Sequence, residues 1–280
     1  MIDVKNLTYT YMEKTPFEKT ALKNISLSVD EGNFLAVAGH TGSGKSTLIQ
    51  IIAGLIEIKF GSVEVDGEPV KEKSARRKIG IVFQYPEHQL FEETVEKDIA
   101  FGPINFGLSE SEVAARVDEA LKLVGLGVEL KNSSPFELSG GQRRRVAIAG
   151  ILALKPKYLI LDEPTAGLDP RARKKILSEI KNLHKLGVTI ILVTHSMEDI
   201  AALAGRVIVL ADGEILFDGA PRKLFAQEEI LKRAGLLTPS TAALAKKISR
   251  AGFENFPLSL TIDEVEREIL KMLGGKSKRA

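Results

Sequence analysis

The chain has 280 residues, 44% of them hydrophobic and 27% charged, which is the composition of a folded globular protein able to bury a large core. Its 39 basic and 37 acidic residues leave a net charge of +2, which argues against nucleic-acid binding by bulk electrostatics. Cysteine is absent, excluding disulfides, thiol nucleophiles and zinc–cysteine sites, and the four histidines, His40, His88, His184 and His195, lack metal-ligand spacing. Met1-Ile2-Asp3-Val4-Lys5 lacks the apolar core of a secretory signal, and the longest apolar run, Val146 to Leu154, is too short to span a bilayer. A membrane role is therefore expected to come through a partner.

Ile2-Asp3-Val4 and Leu7-Thr8-Tyr9-Thr10-Tyr11 alternate with period two, and Leu22 to Val29 resumes the pattern before a turn at Asp30–Asn33. This predicts an antiparallel β layer, to which Gly61–Gly67 returns as a strand and turn. The apolar run Phe34–Ala38 predicts a buried strand. It feeds Gly39-His40-Thr41-Gly42-Ser43-Gly44-Lys45-Ser46-Thr47, which reads G-x-x-x-x-G-K-[ST], and a helical pattern follows at Leu48, Ile49, Ile51, Ile52 and Leu55. In this strand–loop–helix order the glycines let backbone N–H groups wrap a phosphate, and the helix N-terminus adds positive potential. Lys45 supplies a full charge to the outer phosphates and Ser46 a hydroxyl for Mg²⁺.

Ile79–Phe83 is a second buried strand, ending at Gln84. Ser109 with Glu112 makes a capping box for a helix over 109–124, with Val113, Val117, Ala120, Leu121 and Val124 on one face and Gly125 ending it. Ser139 with Gln142 opens another helix, through about Leu154. Tyr158–Leu161 is a short apolar strand ending in Asp162-Glu163. Asp169-Pro170 starts a helix that Gly187 ends, Val188–Val193 is the next strand, and Val207–Leu210 with Ile215–Phe217 reads as a hairpin. Strands alternating with helices imply a mostly parallel sheet, and the helical run from about 95 to 155 reads as an inserted subdomain. From about residue 226 the chain reads as a helical extension, where Thr261 with Glu264 makes a capping box and Ile262, Val265, Ile269 and Met272 an apolar face. The basic tail Lys276-Ser277-Lys278-Arg279 either touches anionic lipid or is solvated.

Carboxylates at the end of a parallel strand face the ligand crevice, so Asp162 can hold Mg²⁺ with Ser46, and Glu163 can polarise a water for attack on a γ-phosphate. The alternative is an acidic pair opening a turn before Pro164. His195, at another strand end, can donate to the γ-phosphate or be a surface histidine. Gln84 can ligate Mg²⁺ or orient water, or simply precede a turn. Leu138-Ser139-Gly140-Gly141-Gln142 opens a helix with two glycines and a serine, a second phosphate cradle in a chain that already has one. It makes sense if it serves a nucleotide on another subunit; otherwise it is a well-capped helix start.

Together these motifs resemble the ATP-binding cassette ATPases over residues 1 to about 225: the P-loop, Gln84 as Q-loop, Leu138–Gln142 as LSGGQ, Leu159–Pro164 as Walker B, Ala166-Gly167-Leu168-Asp169 as D-loop and His195 as switch histidine. The resemblance implies an α/β P-loop NTPase fold, with a RecA-like core sheet, an antiparallel β layer, an inserted helical subdomain and, over 226–280, a short helical extension. It implies a head-to-tail dimer with each ATP between one P-loop and the other subunit's LSGGQ. Glu163 carries over as catalytic base, Asp162, Ser46 and Gln84 as Mg²⁺ neighbours, Asp169 as a cross-dimer contact, and Tyr11, with Tyr9 second, as the aromatic that stacks on adenine.

The stretch Phe83-Gln84-Tyr85-Pro86-Glu87-His88-Gln89-Leu90-Phe91 with Val95–Pro103 resembles the ATPases of energy-coupling factor transporters, prokaryotic importers of vitamins and of cobalt or nickel. That implies a peripheral position on the cytoplasmic face of the cell membrane and a second ATPase subunit, different or identical. It also implies a transmembrane scaffold subunit docked in a groove near Glu87–Phe91 and a membrane component that captures the cargo. Leu90 and Phe91 suit such a groove for an amphipathic helix, or else fill the local core. The C-terminal region of that group is implicated in holding the two ATPases together; packing on its own domain is the other reading. A soluble cassette ATPase of translation or DNA repair is the rival, and it usually carries two cassettes or a long coiled coil. A P-loop kinase or GTPase is disfavoured by LSGGQ and by the absence of an Asn-Lys-x-Asp motif.

Overall fold

The structure is a computed structural model and describes residues 1–251, 253 and 256–276. In chain order its elements are β1 (Ile2–Tyr11), β2 (Lys19–Val29), β3 (Phe34–Ala38), α1 (Lys45–Ile52), β4 (Phe60–Val65), β5 (Glu68–Pro69), α2 (Lys73–Arg77) and β6 (Ile79–Val82). Then come α3 (Val95–Asn105), α4 (Glu110–Leu123), α5 (Gly140–Leu152), β7 (Tyr158–Asp162), α6 (Pro170–Lys185) and β8 (Thr189–Val193). The chain continues with α7 (Met197–Leu203), β9 (Arg206–Ala211), β10 (Glu214–Gly219), α8 (Pro221–Phe225), α9 (Glu228–Arg233), α10 (Ser240–Arg250) and α11 (Ile262–Lys276). It folds as two compact units, Met1–Phe34 with Ser46–Val193, and Leu35–Lys45 with Thr194–Ala280.

In the first unit β2, β1, β4 and β5 form the expected antiparallel layer in that order. The sequence pattern breaks β1 in two, whereas the strand is continuous. Asn6 adopts φ 50° and the register shifts between Val4 and Leu7, a bulge that changes the phase of the alternation, so that Ile2, Val4 and then Leu7 are buried. β6, β7 and β8 run parallel with β7 in the middle, and every residue of β7 and β8 is buried, as covered parallel strands require.

The helical insertion follows the sequence closely. The Ser109–Glu112 capping box forms, and Val113, Val117, Ala120, Leu121 and Val124 are all buried. The Ser139–Gln142 box opens α5, which stops at Leu152 rather than Leu154. Lys155 takes a left-handed φ of 51° before Pro156, which disfavours helix in the residue preceding it. Similarly α1 ends before Leu55, which is 57% exposed. Gly54 turns the chain at φ 70°, where a Cβ would stand 2.8 Å from Arg76 Cδ.

In the second unit β3 lies parallel to β9, from Leu35 opposite Arg206 to Ala38 opposite Val209. β9 and β10 form the expected hairpin, turned by Asp212 and Gly213 at φ 50° and 82°. Ala36 and Ala38 of β3 share a core with Val207, Val209, Leu224, Phe225, Leu231, Ala242 and Leu260, so the helices past Phe225 pack on the strand that precedes the P-loop. α11 departs from its expected face. Val265 is buried and Met272 half-buried, but Ile262 is 75% exposed and Ile269 36%. Its capping box is half made: Thr261 Oγ1 accepts from Glu264 N at 3.3 Å, while the Glu264 carboxylate is drawn to Leu260 N and Arg222 at 2.8 Å each. Ser277, Lys278 and Arg279 of the basic tail lie outside the described residues. Among the described residues no helix is long and apolar enough to cross a membrane.

Candidate nucleotide site

In the second unit the loop Gly39–Lys45 is closed on itself. Lys45 Nζ donates to the carbonyls of Gly39 and His40 at 2.8 and 2.9 Å, while the Ser43 carbonyl accepts from Gly213 N at 3.2 Å. Only glycine fits at position 39: its φ is 148°, and a Cβ would fall 2.2 Å from Leu210 O and 2.6 Å from Ser43 Oγ. Thr41 and Gly42 are exposed, Gly44 is half-buried, and His40 Nδ1 meets Thr41 O at 2.9 Å. Ser43 is fully buried, yet its Oγ has no hydrogen-bond partner. An orphaned buried hydroxyl inside a glycine cradle fits a loop that a polar ligand completes. His195 is exposed in this unit, just beyond Thr194, whose N donates to Val37 O at 3.3 Å.

The first unit carries other residues that the sequence singles out. Ser46 Oγ donates to Asp162 Oδ2 at 3.5 Å, and Asp162 is only 8% exposed at the end of β7. A hydroxyl and a buried carboxylate converging in this way are hard oxygen donors of the kind Mg²⁺ prefers. The next residue, Glu163, has a left-handed φ of 49° and is held by its N–H to Val193 O at 3.0 Å. Positive φ on a non-glycine is a costly conformation, and here it re-aims the chain directly after the buried carboxylate. Gln84 is exposed just past β6, at the same end of the parallel strands as Glu163, because Val82 pairs with Leu161. Tyr11 places its hydroxyl 3.1 Å from that of Thr47 on α1, with its ring edge-on to Tyr9 at 4.8 Å.

Ser139 and Gly140 are exposed at the start of α5, where the Ser139 hydroxyl and N–H both donate to Gln142 Oε1, at 2.8 and 3.0 Å. The Gln142 side chain is thus engaged in the cap. Asp169 caps α6, accepting from Arg171 N and Ala172 N at 2.9 and 3.0 Å. The two helix starts open on one cavity of about 870 Å³, lined by Ser139, Gly140, Gly141, Leu168 and Asp169 with Arg145, Arg171, Lys174 and Lys175. Further along α6, burial raises the Glu179 carboxyl to about 7, an effect that Arg145 and Lys175 only partly oppose.

The sequence treated Glu87–Phe91 as one patch; the structure divides it. Leu90 is buried in the local core, whereas Phe91 is 57% exposed and meets the half-exposed Phe101 edge-on at 4.9 Å. Glu87 points inward to Arg144, which donates from Nε at 2.8 Å and from an amino group at 2.6 Å. Burial alone would push Glu87 up, but the Arg144 hydrogen bonds and charge hold its carboxyl below the usual range.

The description "ABC transporter" fits residues 22–166, just over half of the chain. Over nearly its full length the chain is 50% identical to the energy-coupling factor transporter ATP-binding protein EcfA2 of Clostridium tetani, covering 99% of this chain and 98% of that one. The protein of the same name from Clostridium acetobutylicum is 52% identical, covering 97% and 98%. Among solved structures, cbiO1 from Clostridium perfringens, described as part of the ABC transporter complex cbiONQ, superposes with a TM-score of 0.74 at 37% identity, covering 90% of this chain and 97% of that one. The ATP-binding cassette MJ0796, a dimeric post-hydrolysis state bound to ADP and Pi, gives a TM-score of 0.70 at 35% identity, covering 79% and 99%.

The chain belongs to the ATP-binding proteins of energy-coupling factor transporters. It has the P-loop ATPase cassette fold, binds ATP, and is an ATPase coupled to transport. These relatives do not support the soluble translation or DNA-repair alternative. One residue central to the site escaped the motif reading. Arg144, the middle of three consecutive arginines, belongs to none of the sequence motifs, yet it is 1% exposed. The signal was helical spacing: Arg144, Ile148 and Leu152 fall on one stripe of α5, and all three are buried.

Proposed function

We propose that this ATPase works as half of a pair, each ATP lying between the P-loop of one subunit and the Ser139–Gln142 stretch of the other. The observation that carries the reading is that Ser139 and Gly140 stand exposed at the rim of the Asp169 cavity in a chain that already has a complete phosphate loop. Gly39–Thr47 wraps the phosphates through backbone N–H groups, Lys45 leaves its carbonyl partners for the outer phosphates, and Tyr11 stacks on adenine. Ser46, Asp162 and Gln84 are the residues that would hold Mg²⁺, which when bound neutralises charge on the β- and γ-phosphates. Glu163 takes the proton of the attacking water, His195 donates to the γ-phosphate, and Asp169 contacts the other subunit.

In this reading residues 1–225 are the cassette and 226–280 an appended helical extension. The chain sits on the cytoplasmic face of the cell membrane through a transmembrane scaffold subunit seated near Glu87–Phe91, where Phe91, Phe101 and Ile104 are exposed. A separate membrane subunit captures a vitamin or transition-metal ion, and the paired ATPase is a related second chain, or a second copy of this one. ATP binding closes the pair, hydrolysis reopens it, and the scaffold moves with it. No nucleic acid takes part. The reading is tested by solubilising membranes that contain the tagged chain and identifying what co-purifies. A second ATPase chain with two kinds of membrane subunit is expected; ribosomes or DNA in their place would overturn it.

A further inference from the structure

The most deeply buried charge of the first unit is the Arg144 guanidinium, and it joins three segments. Two of its nitrogens fork onto the Glu87 carboxylate; the third donates to the carbonyls of Pro164 at 3.1 Å and Ala166 at 2.7 Å. Glu87 belongs to the turn Pro86–Gln89, which follows Tyr85 in a left-handed conformation at φ 55°. Pro164 and Ala166 lie between Glu163 and Asp169. The Tyr85 ring lies 5.7 Å from the Arg144 guanidinium, and a Cβ on Gly167 would touch it at 3.4 Å. So one side chain on α5 ties the turn carrying Glu87 to the segment carrying the candidate base.

Simple anchoring of a helix does not require a buried cation. A hydrophobic residue would hold α5 to the same surface without desolvating a guanidinium. What the guanidinium adds is direction: planar, forked donors fix the carboxylate and both carbonyls in one geometry, so a shift of the turn displaces the Pro164–Ala166 backbone. We propose that Arg144 is a positioning residue that transmits the placement of the Glu87 turn to Pro164–Ala166, and so sets the alignment of Glu163 and Asp169. This rests on the proposed docking of the scaffold beside that turn. Glu87 then serves as the inner end of the docking surface and Phe91 as its outer end.

The test compares Arg144→Lys, Glu87→Gln and the double variant in the intact membrane complex, with Phe91→Asp as a separate probe of docking. Lysine keeps the charge but cannot span the carboxylate and two carbonyls together. Both single variants are expected to bind ATP within about twofold of the parent and keep the scaffold. Their kcat is expected to fall about tenfold at nearly constant KM, the signature of lost alignment rather than lost binding. The double variant is expected to be no slower than the slower single one, since the two residues act through one contact. A parental kcat in Glu87→Gln would overturn the proposal, as would additive losses in the double variant, and Glu87→Gln keeps the test decisive if Arg144→Lys does not fold. The docking reading fails separately: Phe91→Asp would keep the scaffold bound while the Arg144 and Glu87 variants still lose kcat.

Discussion

Ser46 Oγ meets Asp162 Oδ2 at 3.5 Å although 116 residues separate them. α1 and β7 have brought together a hydroxyl of the phosphate loop and the buried end of a parallel strand. If this pair holds the metal, Ser46→Ala and Asp162→Asn should each lower apparent Mg²⁺ affinity about ten- to a hundredfold. Titrating ATPase activity with Mg²⁺ checks this; an unshifted titration would remove the pair from the metal site.

Glu163→Gln keeps the shape of the side chain and removes its basicity. Hydrolysis should fall about a hundredfold or more while ATP binding persists, so closed pairs accumulate. Single-turnover kinetics with size analysis reads both effects. Near-parental turnover would show that another group takes the proton.

Lys45 bonds the Gly39 and His40 carbonyls, so removing it loosens the loop as well as taking away a charge. Lys45→Ala should weaken ATP binding about tenfold or more, as expected for losing charge-assisted bonds to phosphate. Equilibrium binding without hydrolysis is the measurement, and unchanged affinity would contradict the role.

Tyr11→Ala should cost about 1–3 kcal/mol of nucleotide affinity, the scale of a lost base–aromatic stack, whereas Tyr11→Phe should keep most of it. Because Tyr9 abuts Tyr11 edge-on, Tyr9→Ala separates the two assignments. If Tyr9→Ala is the more damaging variant, adenine stacks on Tyr9.

The Glu179 carboxyl, raised to about 7 by burial, gives a pH signature. Below the usual carboxylate range it is neutral folded and unfolded and has no effect. As pH rises past that range the unfolded chain ionises first, so stability falls until the folded group ionises near 7. Glu179→Gln should therefore raise the melting temperature more at about pH 8 than at about pH 5. Equal shifts at both pH values would contradict the raised value.

The sequence made most of the site legible because its chemistry depends on local patterns. The P-loop, the Ser109 and Ser139 capping boxes and the Asp169-Pro170 helix start are short-range signals, and each formed where the residues place it, whereas the Thr261 box formed only in half. Non-local features were hidden. The left-handed Glu163 and Tyr85 are set by tertiary contacts, since neither residue type favours that conformation. Leu90 and Phe91 are adjacent and similarly apolar, and only packing decides that one is core and the other surface. Arg144 belongs to none of the short motifs, and its burial depends on the distant Glu87 carboxylate and the Pro164 and Ala166 carbonyls that receive its donors. On α11 the apolar pattern predicted a buried face, but Ile262 and Ile269 remain open to solvent.

The most direct test of the central claim is uptake by the purified complex in liposomes, with ATP supplied to the side bearing this chain. The account predicts that the captured vitamin or metal ion accumulates inside only while ATP is hydrolysed, and that Glu163→Gln abolishes uptake with the complex intact. Uptake at the parental rate by the Glu163→Gln complex, or continued uptake without ATP, would contradict it.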